Sequence, residues 1–496
     1  MPISRRRFMG AGLASVAALS NSRTTADAQP LSVQSTPASE KWVGKLAGAH
    51  EFAAAQAKRI AGGSSPVLTL LLPNGSQANI EPLAAWFRER TNINVELSVV
   101  PVDEINTHMM IDALSETGSF DVALPATFGL PDLVESNVLL PLDELADTFA
   151  PSSYLDDSLY SIGDFYRGRL YGYQTDGDAY VMFYNADWLN DPDEQKRFAD
   201  QHGVALTLPR TWPELDRVMA YFHRPEAGQF GGALYRNPNY IGWEFWMRFH
   251  AKGLWPLDEE MGPQIDREAG TEALAELIAA SRYLHPGTHA MGLFENWRRF
   301  AEGNTFCNIG WGGTQKFLNG PHSKVRGRLA FGTTPGGHVG NHYLPISYFN
   351  WGWNYTVARA SKHPDLAYLF ILAACSPAMS TVSIRQQDGF FDPFRREHYR
   401  DQAIIDVYSQ PFLDVHLASM QASIPDLYLK GQGEYVDALT GNVYEASRGD
   451  ITAEKALART AQQWRRTTRR MGRAGSVEQW KFLRSRYPQP VRALLS

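Results

Sequence analysis

The chain has 496 residues, a formal net charge of -6, 44% hydrophobic and 20% charged residues, which is the composition of a globular protein with room for two or three domains. The acidic balance excludes a surface built to replace nucleic-acid counterions. Two cysteines, Cys307 and Cys375, are too few for a disulfide-framed scaffold.

The first element read along the chain is a leader. Ser4-Arg5-Arg6-Arg7-Phe8, an apolar run from Met9 to Leu19 and the small-x-small site Ala26-Asp27-Ala28 read as a secretory signal over residues 1–28, with adjacent arginines that point to the twin-arginine route and a periplasmic destination. Cleavage after Ala28 leaves Gln29 first, and no cysteine follows the apolar run to carry a lipid anchor. Past the leader no run approaches the roughly 20 apolar residues of a membrane span.

Residues 29–66 form a Ser/Thr/Pro-rich lead-in and a predicted helix over Trp42 to Ile60, ended by Gly62-Gly63. A regular alternation follows. Strands are predicted at Val67 to Leu72, Asn94 to Val100 and Phe120 to Leu124, with helices from Ser76 through Arg90 and from Val102 to Glu116, which predicts a parallel sheet with helices on its faces. Tyr171 to Asp178 breaks the pattern and Ala179 to Tyr184 resumes as a strand. Helices are then predicted at Trp212 to Phe222, Ile241 to Lys252 and Glu272 to Tyr283, and strands at Phe306 to Gly310, Leu329 to Thr333 and Trp353 to Ala358. Pro364 to Ala374 is a predicted amphipathic helix and the last hundred residues are mostly helical. The basic cluster from Arg465 to Arg473 reads as a solvated helix face.

Several of these stretches, in this order, resemble the extracellular solute-binding proteins of ABC importers, in the group that contains maltose-binding protein. The residues concerned are Phe120-Asp121-Val122-Ala123-Leu124 with Leu133 to Asp143, Tyr171-Gly172-Tyr173 with Met182-Phe183-Tyr184-Asn185, Pro209 to Leu215, and Gly352 to Val357 with Ser361 to Ala367. The resemblance covers Val67 to Met471; the helix near 42–60 is a departure expected to pack on a lobe surface. It implies an α/β, two-lobe periplasmic-binding-protein fold (type II-like), with an interlobe cleft and crossing hinge strands. Lobe 1 would take 67–175 plus 352–388, and lobe 2 would take 176–350 plus 391–496. Cys307 and Cys375 then fall in different lobes, as free buried thiols.

Ligand sites in such sheets lie beyond strand ends, where loops and helix N-termini converge. Asn74 and Gln77 follow the first strand and offer amide groups to hydroxyls, or else the turn serves only as an N-cap at Ser76; Thr127 past the third strand carries the same ambiguity. Asp176 and Asp178 precede the crossing strand, and by the resemblance Asp178 falls where maltose-binding protein places a ligand-contacting carboxylate; a solvated hinge loop is the alternative. Aromatic faces pack on the C–H face of a pyranose, which makes Tyr240, Trp243, Trp311 and Trp351 candidates, with Trp246 assigned to packing. Arg385, Asp388 and Asp392 surround a further crossing, and of these Asp388 is taken as the candidate, a hinge salt bridge being the other use.

Enzyme patterns fail on residue identity. His50-Glu51 lacks the second histidine of a zinc protease because Ala54 stands there, and His338 with His342 lacks a third ligand. There is no Gly-x-Ser-x-Gly elbow, Walker loop or dinucleotide fingerprint. The expectation is a monomeric periplasmic receptor, without catalytic residues, metal or cofactor and with no nucleic-acid partner, that delivers a sugar or polyol to an inner-membrane ABC permease. A polyamine or other cationic solute, held by Asp176, Asp178 and an aromatic box, is the alternative; a cofactor-loaded periplasmic enzyme is the third reading.

Overall fold

Apolar runs in this chain form the centres of two sheets, and the segments joining those sheets gather the polar residues of interest. The computed structural model describes residues 48–349 and 352–496, so the leader, the lead-in as far as residue 47 and Trp351 lie outside the described residues. In chain order the elements are α1 (Ala49–Ala61), β1 (Val67–Pro73), α2 (Gln77–Thr91), β2 (Asn94–Val100), β3 (Val122–Ala123), β4 (Gly172–Gln174) and β5 (Val181–Asn185). Then come α3 (Trp212–Phe222), β6 (Phe230–Ala233), α4 (Ile241–His250), β7 (Thr305–Gly310), α5 (Gly312–Leu318), β8 (Leu329–Thr333) and β9 (Asn354–Val357). The later helices include α6 (Pro364–Ala374), α7 (Gln432–Ser447), α8 (Ala453–Met471) and α9 (Arg473–Arg486).

The first sheet has the order β2-β1-β3-β9-β4. Strands β2, β1 and β3 are parallel, with Leu70 opposite Leu97 and Val122. That is the parallel arrangement predicted for these three strands; β9, which runs antiparallel to both β3 and β4, makes the sheet as a whole mixed. The reason is topological: β4 and β9 belong to segments that leave for the second sheet and come back, so they need no crossover helix. The second sheet has the order β8-β5-β7-β6, and every residue of its two central strands is buried. That explains their continuous apolar runs.

Helix α1 shows its logic in its small residues. His50, Ala53, Ala54 and Ala57 recur at helical spacing and are buried, and this nearly flat face lets α1 lie close on α6. The expectation that this extra helix packs on a lobe surface is met for its described part, which starts at Ala49. Helix α6 is buried from Leu366 to Ala374 because α1 covers one side and the first sheet the other. No single helix among the described residues is long and apolar enough to cross a membrane.

At the start of α3, Thr211 Oγ1 accepts from Glu214 N and Glu214 Oε2 accepts from Thr211 N, so the Pro-x-Thr-Trp-x-Glu pattern is a capping box. Ser76 does not do the same for α2. Its hydroxyl donates to Pro73 O at 2.7 Å instead, so the predicted side-chain cap is absent. Cys307 lies in β7, Cys375 follows α6, and both are free and buried. The basic cluster on α8 is exposed, with Arg465 near Asp266 and Arg470 paired with Glu434.

Candidate functional site

Three parts of the chain lie side by side between the sheets: 175–180, the described residues 348–349 and 352–353, and 389–394. Thr175 N donates to Trp353 O (2.9 Å), Tyr180 N to Tyr348 O (3.0 Å) and Gly177 N to Asp392 O (3.1 Å). Gly177 must lack a side chain here, since a Cβ would stand 2.0 Å from Pro393 O. This close pairing brings together Asp176 and Asp178 with a residue more than two hundred positions away. One carboxylate oxygen from each of Asp176, Asp178 and Asp392 lies within 4.8 Å of the others, and all three side chains are buried.

Their partners are mostly neutral. Asp176 Oδ1 accepts from Asp392 N at 2.6 Å, while Asp392 accepts from Gly312 N (2.7 Å) at the start of α5 and from the Tyr408 hydroxyl (3.0 Å). Asp178 accepts from the Gly352 backbone. Asp176 Oδ2 is buried with no hydrogen-bond partner among the described residues. Burial, and then repulsion from Asp178 and Asp392, pushes Asp176 well above the usual carboxylate range; burial and Asp392 do the same to Asp178. Asp392 is raised to about 7 by burial, against the opposing pull of Lys316. The Lys316 ammonium on α5 is fully enclosed: it donates to the carbonyls of Gln386, Gly389 and Phe391 at 2.9, 2.8 and 3.1 Å. Burial lowers it to about 8.

An aromatic cluster adjoins the carboxylates. Trp311, one residue before Gly312, lies 4.7 Å from the Tyr180 ring and 6.2 Å from Trp243; Trp243 lies 4.5 Å from Tyr240; Tyr180 stacks on Tyr348 at 5.7 Å. The Trp311 Nε1 donor is buried with no partner among the described residues. The arrangement is held from behind by charge. Glu244 on α4 sits between Arg236 (2.6 Å) and Arg248 (2.8 Å), all three buried, and Asn237 Oδ1 accepts from Tyr240 N (2.9 Å) to start the helix. From this position Tyr240 reaches Asp103, beyond the end of β2. Beside that contact is a cavity of about 360 Å³ whose lining, among the described residues, includes Asp103, Asp426 and Asp437 and no lysine or arginine. Burial raises all three carboxylates, Asp426 to about 8.

The predicted residues divide accordingly. Asp176 and Asp178 share one cluster, and Tyr240, Trp243 and Trp311 share the next. Trp246 is packing, as expected: it is buried, with Nε1 bonded to Pro425 O. Asn74 is exposed and accepts from Gln77 Nε2, while Gln77 Oε1 accepts from Gly75 N, so the two amides bond within their own turn. Thr127 is buried and donates to Gly352 O beside Asn354, within the packing of the return crossing. Asp388 is exposed in the turn before the third crossing. The buried place belongs to Asp392, while Arg385 pairs with Asp401. Sequence reasoning passed over Lys316, Asp103, Tyr180, Tyr348 and Tyr408. A lysine three residues past a Trp-Gly-Gly strand-end loop was a usable signal for Lys316; nothing local marks the others.

The chain matches the family model described as bacterial extracellular solute-binding protein over residues 73–379, and it belongs to that family. A curated relative is the mannitol-binding protein of Pseudomonas aeruginosa, 23% identical over 443 residues, covering 84% of this chain and 95% of the relative. Among solved structures, an ABC transporter solute-binding protein from Agrobacterium vitis with bound D-mannitol is 19% identical with a TM-score of 0.67, over 82% of this chain and 99% of that one. A solute-binding protein from Agrobacterium radiobacter in complex with ribitol gives 18% and 0.69, over 81% and 98%. The maltose-bound MalE3 of T. maritima gives 18% and 0.68, over 81% and 99%. These likenesses establish the two-lobe fold expected from the sequence.

Proposed function

We propose that this chain is a periplasmic receptor that closes on a carbohydrate or polyol between its two lobes and delivers it to an inner-membrane ABC permease. One observation carries the reading: buried aromatic faces of Tyr180, Trp243 and Trp311 adjoin a carboxylate cluster, with an unpartnered donor at Trp311 Nε1 and an unpartnered acceptor at Asp176 Oδ2. A hydroxyl both donates and accepts, so a polyhydroxylated solute satisfies the two kinds of orphan at once, and C–H faces suit the rings. The acid-lined cavity disfavours anionic solutes. Relatives named or solved with mannitol, ribitol and maltose support this solute class.

Asp176, Asp178, Tyr240, Trp243 and Trp311 are proposed as solute contacts, with lobes limited as the sequence suggests and the three crossings as hinge. In this reading the protein is a monomer without catalytic residues, exported by the twin-arginine route; replacing Arg5 and Arg6 by lysine should then block its appearance in the periplasm. The functional test is a thermal-shift and calorimetric screen of the chain from Gln29 with hexitols, pentitols, mono- and disaccharides and polyamines. Saturation at one polyol or sugar per chain supports the proposal, and silence across those classes defeats it.

A cationic solute is the second reading, favoured by three carboxylates among the described residues of the cavity lining. Binding confined to polyamines, with affinity falling steeply as salt rises, would establish it instead.

A further inference from the structure

We infer that the carboxylates of Asp176, Asp178 and Asp392 hold one calcium ion. Among the described residues they are the only group of three or more His, Cys, Asp or Glu side chains close enough to share an ion. Oxygen ligands at about 2.3–2.6 Å from Ca²⁺ lie at most roughly 5 Å apart, so a spacing within 4.8 Å needs no rearrangement. Three hard anionic oxygens and no nitrogen or sulfur select an alkaline-earth ion over zinc, and an enclosed site favours calcium, since magnesium gives up its waters reluctantly.

Two further observations point to a bound cation. Asp176 Oδ2 is an acceptor oxygen, fully buried and without a partner among the described residues, which is costly unless something positive or proton-donating meets it. The second concerns charge. Among the described residues Lys316 is the cation set against the trio, and its hydrogen bonds go to backbone carbonyls rather than to the carboxylates. The other donors to the trio are backbone N–H groups and the Tyr408 hydroxyl. Burial keeps protons on these carboxyls while no ion is present; once ionised they carry three negative charges against one positive, and a divalent ion that displaces the protons makes up the difference. Because Asp176 and Asp178 lie on the first crossing and Asp392 on the third, the ion would fasten two crossings together. This deepens the receptor reading, on which it rests: the ion would take the Asp176 Oδ2 acceptor otherwise offered to a solute hydroxyl.

The test uses the chain from Gln29, treated with chelator and dialysed, then titrated with CaCl₂ alone. Saturation at one Ca²⁺ per chain and a Tm rise of roughly 3 °C or more at one hundred times the dissociation constant are expected, with Tb³⁺ emission sensitised by the neighbouring Trp311. Asp178→Asn should abolish the calcium response while raising Tm in chelator at neutral pH, because folding no longer has to bind a proton at that buried carboxyl; the reversal of rank between chelator and calcium shows a folded variant. No heat and no Tm change in the wild type would overturn the inference. An equal rise with MgCl₂ in the wild type and in Asp178→Asn would also overturn it, as an ionic-strength effect. Solute binding measured in chelator is a separate readout, so failure of the calcium site and failure of the receptor function give different results.

Discussion

The Tyr240 hydroxyl lies 2.9 and 3.1 Å from the two carboxylate oxygens of Asp103, across 137 positions of sequence, and ties the end of the first sheet's β2 to the start of α4. This bond exists only when the two sides are together. Its contribution therefore belongs to the closed arrangement.

Tyr240→Phe keeps the ring against Trp243 and removes that bond. Hydrogen bonds to a charged partner contribute about 1.5–3 kcal/mol, so solute affinity should fall by roughly 10- to 150-fold, with Tm in the absence of solute changed far less. Calorimetry on the solute that gives the largest thermal shift reads the first quantity; unchanged affinity would show that the contact does not favour closure.

Trp311 supplies both a buried face and an unpartnered donor. Trp311→Ala should cost about 3–5 kcal/mol of stability, as large-to-small core changes do. Trp311→Phe should retain most of that stability and still weaken solute binding, because the Nε1 donor is gone. Equal affinity in Trp311→Phe and wild type would remove the indole nitrogen from the site.

Asn79 holds the third crossing to α2. Its Nδ2 donates to Ser383 O at 2.8 Å and its Oδ1 accepts from Phe391 N at 3.1 Å, both buried. Asn79→Ala strands two backbone groups and should destabilise by about 2–4 kcal/mol, read as a lower urea midpoint. Gly75 nearby is equally constrained: its φ is +106° and a Cβ would stand 2.1 Å from the Phe390 ring. Gly75→Ala should therefore lower Tm by displacing Phe390 from Phe294 and Trp297.

Burial pushes Asp426 up to about 8, against about 3.9 in an unfolded chain. Between those values the folded protein keeps a proton that the unfolded chain has lost, so this group's contribution to stability falls as pH rises from about 4 to about 8. Asp426→Asn preserves an acceptor for Gln432 Nε2 and removes the charge. Its Tm should exceed that of the wild type at about pH 8.5 and converge with it near pH 4–5; a constant difference across that range would show that Asp426 ionises elsewhere.

The sequence by itself determined the elements whose cause is local. The strands at Asn94–Val100 and Leu329–Thr333 and the helices at Trp212–Phe222 and Pro364–Ala374 fall at their predicted limits, because apolar periodicity, Pro at a helix start and the Thr211 cap act within one turn or one strand. Order along the chain was enough to identify the family. Tertiary structure alone decided what meets at the crossings. It put Asp392 rather than Asp388 beside Asp176 and Asp178, enclosed Lys316 among carbonyls, turned Asn74 and Gln77 toward each other, and brought Asp103 to Tyr240. Except for the Asn74–Gln77 turn, those relationships join residues separated by tens to hundreds of positions. Periodicity reports which face of an element is buried, whereas the partner on that face is fixed only when both sheets and all three crossings are in place.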